Sequence, residues 1–319
     1  MKNGQEKFSD IWYHIYRRMP QEILVVGSTS DPDVYYARQL AQKIQGVNAD
    51  TKVECKLVLE YEYWPLLESL KAKYGGAVYQ HKLAHIVIRN GNYVGSADNL
   101  VKICTDEYGI EDALIKTDTI FNRLAREETQ NLLLLTGHKY VYLDFAEQSK
   151  KKGQNQITYG KIVIELFNDI CPIACDNFYK LCTGEKGNIK GMDLALKYAG
   201  SNVHRIVPGG WIQLGDIIDG SGNYSIAALN DDGKVRDESY SIDFGCALGG
   251  IVGFSTSCPH TIGSQFHITL GPCEWMNDKF VGVGRVIAGY DVLRRIEQLP
   301  TENQKPTITV FVENCGKFL

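Results

Sequence analysis

Hydrophobic and polar positions fall into two regimes along this chain. Residues 23–27 (Ile-Leu-Val-Val-Gly) are an unbroken apolar run, which predicts a strand buried on both faces. Residues 34–45 place Val34, Ala37, Leu40, Ala41 and Ile44 on one helical face. A strand is predicted over 52–59 and a helix over 63–74. Residues 86–88 read as a further strand, and Asn90-Gly91 is the turn chemistry of a tight hairpin with a return strand over 93–95. Ser96 or Asp98 then caps another helix. The predicted order is β-α-β-α-β-β-α. Within residues 111–130, Leu114, Ile115, Ile120, Phe121 and Leu124 give a helix with an apolar side, suited to packing between domains in a fixed geometry rather than to a free linker.

From residue 138 the dominant period changes from helical spacing to two. Residues 138–146 alternate, and 159–167 supply the partner strand of a hairpin. A helix is predicted over 173–181 with Ala174, Phe178 and Leu181 on one face, and a last one over 290–298 with Val292, Leu293 and Ile296. Between them, Ile206-Val207 and Trp211-Ile212-Gln213 read as two short strands around Pro208-Gly209. The expected division is a lead-in over 1–20 with a short helix at 11–19, an α/β domain over 21–110, a connecting helix over 111–137 and a strand-rich domain over 138–319.

A chain of 319 residues suggests about two domains. With 44% hydrophobic and 23% charged residues it can build ordinary soluble cores. A net charge of −4 gives no case for a nucleic-acid partner or a membrane surface, and Lys150-Lys151-Lys152 reads as a solvated loop tip. Nine cysteines without paired spacing, and a polar first ten residues, point to reduced thiols in a cytoplasmic protein. The longest apolar run, 132–135, is far shorter than a bilayer span. Cys171 and Cys175 share a helix face, but no second pair of metal-binding spacing accompanies them. The glycines of 245–253 follow no phosphate-loop spacing. Neither a metal nor another cofactor is expected.

The candidate chemistry centres on Arg205 and Gln213, eight positions apart across the Pro208-Gly209 turn. That spacing can set a permanent cation beside a neutral amide on one sheet surface. A third polar residue, Gln265, lies in Gly263-Ser264-Gln265-Phe266-His267 on alternating apolar positions. These two stretches resemble the cyclophilin family of peptidyl-prolyl isomerases. So do Asn177-Phe178-Tyr179-Lys180-Leu181-Cys182-Thr183-Gly184-Glu185-Lys186-Gly187, Glu274-Trp275-Met276 and Val312-Glu313-Asn314-Cys315-Gly316. The resemblance runs from about residue 138 to the end. It implies an antiparallel β-barrel capped by two helices, and a proline-containing peptide or protein segment as ligand.

The resemblance also implies a chemistry without a general base. Amide resonance sets the barrier, about 18–20 kcal/mol. The protein must stabilise a twisted peptide whose proline nitrogen accepts a hydrogen bond, and Arg205 is the implied donor. Gln213 and Gln265 are the implied amides that orient the Arg and the substrate backbone. The implied substrate-facing set is Trp211, Phe266, His267, Trp275, Met276 and Phe280, with Phe266 also a core candidate. His204 is expected to point away. The family's apolar pocket is rewritten: Gly210, Trp211 and His267 stand where the family has aromatic or Met side chains, Ser255-Thr256-Ser257 replaces Ala-Asn-Ala, and Phe280 replaces a pocket His. An isomerase by ancestry, with weak or lost activity and a role as a protein-binding or structural module, is therefore expected. The alternative is an active isomerase assisting folding.

The first domain resembles the thioredoxin and glutaredoxin superfamily over about 20–110. A redox member needs Cys-x-x-Cys where this chain has Ser28-Thr29-Ser30-Asp31-Pro32-Asp33. The implied domain is a redox-dead scaffold or docking module. The two-domain combination, with 204–217 and 292–306, resembles a branch of the family regarded as inactive. That resemblance implies partners in a larger, microtubule-associated assembly and the ciliary axoneme as an expected location.

Overall fold

A computed structural model describes residues 20–111, 118–148, 157–230 and 233–319. The expected helix at 11–19, the Lys150–Lys152 tip and the start of the connecting helix lie outside these residues. The chain divides into two compact units, Met1–Leu135 and Thr136–Leu319.

The first unit is built on a four-stranded sheet of order β2-β1-β3-β4. β1 (Gln21–Ser28) runs parallel to β2 (Thr51–Val58) and antiparallel to β3 (His85–Arg89), which pairs in turn with β4 (Asn92–Gly95). The β3–β4 turn holds Asn90 and Gly91 at φ 49° and 74°, the left-handed pair its sequence announces. Both faces of the sheet are covered, which is why residues 23–27 of β1 are an unbroken apolar run. Ile23, Val25 and Val87 face α1 (Pro32–Val47) and α3 (Ala97–Tyr108), while Val26, Ile86 and Ile88 face α2 (Glu60–Tyr74). Asp31 caps α1 by accepting from the Asp33 amide at 3.0 Å, and Pro32 opens its first turn. α4 (Asp118–Leu134), the described part of the expected connecting helix, buries Phe121 and Ala125 in the core shared by α1 and α3.

At the start of α1, His85 Nδ1 lies 2.7 Å from Asp31 Oδ2, and the Ala97 amide donates to His85 Nε2 at 3.1 Å. Asp31, Asp33 and His85 are the one group of metal-ligating side chains close enough to share an ion among the described residues. Both His85 nitrogens are already engaged and Asp31 caps a helix, so hydrogen bonding accounts for the cluster.

The second unit carries an antiparallel eight-stranded sheet of order β14-β5-β6-β11-β9-β10-β8-β7. Its strands are β5 (Lys139–Glu147), β6 (Ile157–Leu166), β7 (Arg205–Val207), β8 (Trp211–Leu214), β9 (Ile251–Phe254), β10 (Phe266–Thr269), β11 (Gly282–Ala288) and β14 (Val310–Lys317). A small hairpin, β12 (Thr301–Glu302) with β13 (Lys305–Pro306), precedes the last strand. The expected closed barrel is present as a curled eight-stranded sheet with, among the described residues, no ladder between its edge strands β14 and β7. β14 meets the stretch before β7 through an isolated bridge between Asn202 and Phe311, flanked by the Val203 amide on Val310 O at 2.9 Å. The enclosed core is aromatic at one end, where Phe178 of α5 (Pro172–Thr183) meets Tyr198, Phe254 and Phe266 at centroid distances of 5.1, 6.0 and 4.9 Å. α6 (Tyr290–Glu297) buries Val292, Leu293 and Ile296. Cys171 and Cys175 are buried, with thiols on the carbonyls of Ser239 and Val283. Burial pushes the Cys171 thiol up to about 11 and raises that of Cys175 further. Among the described residues no helix is long and apolar enough to cross a membrane.

Candidate functional site

Strand alternation builds the site. Ile206, Ile212, Ile268 and Val252 form one cross-strand row, each fully buried on the core face. The neighbouring row, Arg205–Gln213–His267–Gly253, therefore points to the opposite face. Trp211, two residues from Gln213, shares that face. The residues meet along a groove with a cavity of about 770 Å³. It is lined by Arg205, Gln213, Gln265, Trp211, His267, Trp275, Met276 and Phe280. Phe266 is the one expected site residue placed elsewhere. Its register partners are Leu214 and Phe254, its exposure is 0%, and its ring packs on Phe178 and Tyr198 in the core.

The polar half of the groove is an amide line. Gln213 Nε2 donates to Gln265 Oε1 at 3.0 Å, and Gln265 Nε2 donates to the carbonyls of Gly222 and Tyr224 at 2.8 and 3.0 Å. Ser225 Oγ accepts from the Ser264 and Gln265 amides at 2.9 and 3.0 Å, fixing the strand entrance. Arg205 stands at the exposed end. Its Nε donates to Gln304 Oε1 at 2.7 Å, and its guanidinium carbon is 5.2 Å from the Trp211 ring centroid.

Two features of this half went unread in the sequence. The carboxylate of Asp216, with 0% exposure, accepts from the amides of Ile218, Asp219, Gly222, Asn223 and Tyr224 at 2.9–3.4 Å. It thereby winds residues 217–224 into the loop that presents the Gly222 and Tyr224 carbonyls to Gln265. Burial works to raise its carboxyl pKa, but the converging amides outweigh burial and hold it below the usual carboxylate range. His204 packs against Gly222, and its pKa is lowered by burial with Asp216 opposing. The second unread feature is Gln304. The signal for Asp216 was a Gly-Asp followed by a Gly/Ser/Asn-rich stretch; Gln304 had none, being 99 positions from Arg205.

The apolar half is a chain of rings. Trp211 and Trp275 lie 5.5 Å apart, Trp275 and Phe280 6.0 Å, Phe280 and His267 5.3 Å, and His267 and Phe244 5.6 Å. His267 is 2% exposed, and burial pushes its imidazole down to about 3, so it is neutral at ordinary pH. Its Nδ1 is 3.2 Å from Ser255 Oγ, and its Nε2 has no hydrogen-bond partner. Gly253 makes room for it: a Cβ there would lie 2.8 Å from Nε2. The cavity thus pairs a permanent cation and two amides with an aromatic pocket whose floor is a neutral, half-satisfied imidazole.

Comparison with known proteins agrees with this geometry. The family model described as cyclophilin type peptidyl-prolyl cis-trans isomerase/CLD matches residues 151–317. The human protein named "Probable inactive peptidyl-prolyl cis-trans isomerase-like 6" is 31% identical over 300 residues, covering 93% of this chain and 92% of that protein. Its mouse namesake is 28% identical over 306 residues, with 93% and 91% covered. "Peptidyl-prolyl cis-trans isomerase cyp11" of Rhizopus delemar is 39% identical over 163 residues, 50% of this chain and 46% of that protein. Family model, extended similarity and groove geometry together establish that this chain belongs to the cyclophilin-type peptidyl-prolyl cis-trans isomerase family.

Proposed function

We propose that the groove of the second unit binds a proline-containing segment of a partner protein, and that holding it, rather than rapid isomerisation, is the role of this chain. The observation that carries this reading is His267. The amide line and Arg205 can still dock a peptide backbone and donate to a proline nitrogen. The proline ring, however, would rest on a polar imidazole where the family resemblance implies a phenyl ring. Apolar contact area that is not buried forgoes about 25 cal/mol per Å². That loss weakens ring binding and the hold on the twisted peptide alike. The name borne by the human and mouse relatives is in keeping with slow turnover.

The first unit is proposed as a thioredoxin-like docking domain without redox chemistry. The strand order β2-β1-β3-β4, with β1 parallel to β2 and antiparallel to β3, supports it. The start of α1 carries Asp31 hydrogen-bonded to His85 where redox members need a thiol pair.

Titration of a Gly-Pro peptide into isotope-labelled protein tests the groove. Saturable shifts at the Trp211 and Trp275 indoles and the Gln213 and Gln265 amides are expected. No shift at any of these four, at millimolar peptide, would remove the proposal.

A further inference from the structure

Arg205 is not held by the residue that faces it. Gln213 is its direct cross-strand partner, but Gln213 Nε2 donates to Gln265 and no bond joins Gln213 Oε1 to the guanidinium. The guanidinium is bonded instead to Gln304, Nε to Oε1 at 2.7 Å. Gln304 lies in the two-residue turn of the β12–β13 hairpin, where Asn303 and Gln304 take φ 49° and 68°. The left-handed region suits Gly and, less well, Asn or Asp, whose short side chains bond locally. Gln has neither advantage, so the position is strained by its own side chain. Strain of this kind persists where surrounding contacts over-determine it. Two contacts do so here. The Gln304 carbonyl accepts from the Ile206 amide at 2.7 Å, docking the hairpin tip on β7, the edge strand of the sheet, and the side chain takes Arg205 Nε. Gln304 is outside the cavity wall, whereas Arg205 is part of it.

We propose that Gln304 is the positioning residue for Arg205, so that the hairpin tip fixes Nε, Trp211 fixes the guanidinium plane, and the two terminal nitrogens are left for the ligand. A guanidinium oriented before binding loses less freedom on forming its hydrogen bond. The assignment rests on the reading of the groove as a proline site, but it has a readout of its own.

The experiment uses the full chain and Gln304→Gly. Glycine adopts φ 68° without strain, so this variant keeps the hairpin and removes only the side chain. The Arg205 Nε–H resonance is identified by its absence in Arg205→Lys, and its exchange with water is measured without peptide. Expected is an exchange at least about tenfold faster in Gln304→Gly, as for one lost charge-assisted hydrogen bond, with an unchanged or higher melting temperature. Gln304→Glu, which keeps an acceptor oxygen at the same reach, restores slow exchange. Any residual acceleration of Gly-Pro isomerisation falls about tenfold in kcat with KM nearly constant. Equal Nε–H exchange in parent and Gln304→Gly overturns the assignment. If no variant accelerates isomerisation, isomerase chemistry is absent, and the Nε–H comparison still decides the role of Gln304.

Discussion

Gln213 Nε2 donates to Gln265 Oε1, 52 positions away, while Arg205, which faces Gln213 directly across the β7–β8 ladder, donates to Gln304. The amide line is therefore one hydrogen-bonded unit running from the sheet into residues 217–224. Replacing Gln265 by Leu leaves the carbonyls of Gly222 and Tyr224 and the Gln213 amide without their partner. Stability should fall by about 1–3 kcal/mol in urea unfolding, because buried polar groups lose their bonds. Gln213→Leu strands one acceptor and should cost less. An equal cost for the two would show that the line does not act as a unit.

Asp216 organises the loop beneath that line. Asp216→Asn keeps the shape but exchanges one acceptor oxygen for a donor facing inward-pointing amides. Hydrogen bonds to a charged acceptor contribute about 1.5–3 kcal/mol, so a destabilisation of about 2 kcal/mol is expected. Since its pKa is depressed in the folded chain, its contribution is present above the unfolded carboxylate pKa of about 3.9 and is lost as pH falls through the folded value. Amide exchange of Gly222 and Tyr224 should rise in the variant at neutral pH; unchanged exchange would remove Asp216 as the organiser.

His267 gives the pocket floor a pH dependence with a defined sign. Its folded pKa is about 3 against an ordinary 6.5. Between these values the unfolded chain binds a proton that the folded chain refuses. The stability is present above pH 6.5 and is lost as pH falls toward 3, by about 2 kcal/mol at pH 5 relative to pH 8. His204 is shifted in the same direction and stays in the variant, so the difference between parent and His267→Phe isolates His267. The variant should lose this acid sensitivity, gain about 1–3 kcal/mol of stability by removal of one unpaired buried nitrogen, and bind Gly-Pro peptide more tightly through the added apolar contact. Parallel stability curves for parent and variant between pH 5 and 8 would contradict the buried neutral imidazole.

What the sequence disclosed was local or periodic. The Asn90-Gly91 hairpin, the apolar face of residues 34–45 and the turn at Pro208-Gly209 follow from neighbours. The spacing across that turn put Arg205 and Gln213 on one face, whereas Phe266, set among the substrate-facing residues and also a core candidate, is a core residue. What stayed hidden depends on distant pairing. Nothing near Ser255 announces His267, and nothing near Arg205 announces Gln304, because each contact exists only once strands far apart in the chain are in register. Gln213 was expected to orient Arg205; its choice of Gln265 is decided by residues 217–224, whose winding depends on one buried carboxylate.

The most direct test is exchange spectroscopy on a Gly-Pro peptide with substoichiometric protein, beside Arg205→Ala. The account predicts peptide shifts that grow with protein, and at most slow cis/trans exchange that Arg205→Ala reduces by a further one to two decades, about the value of one charge-assisted hydrogen bond. Rapid exchange at one protein per hundred peptides, abolished in Arg205→Ala, would contradict it by making this chain an efficient isomerase despite His267.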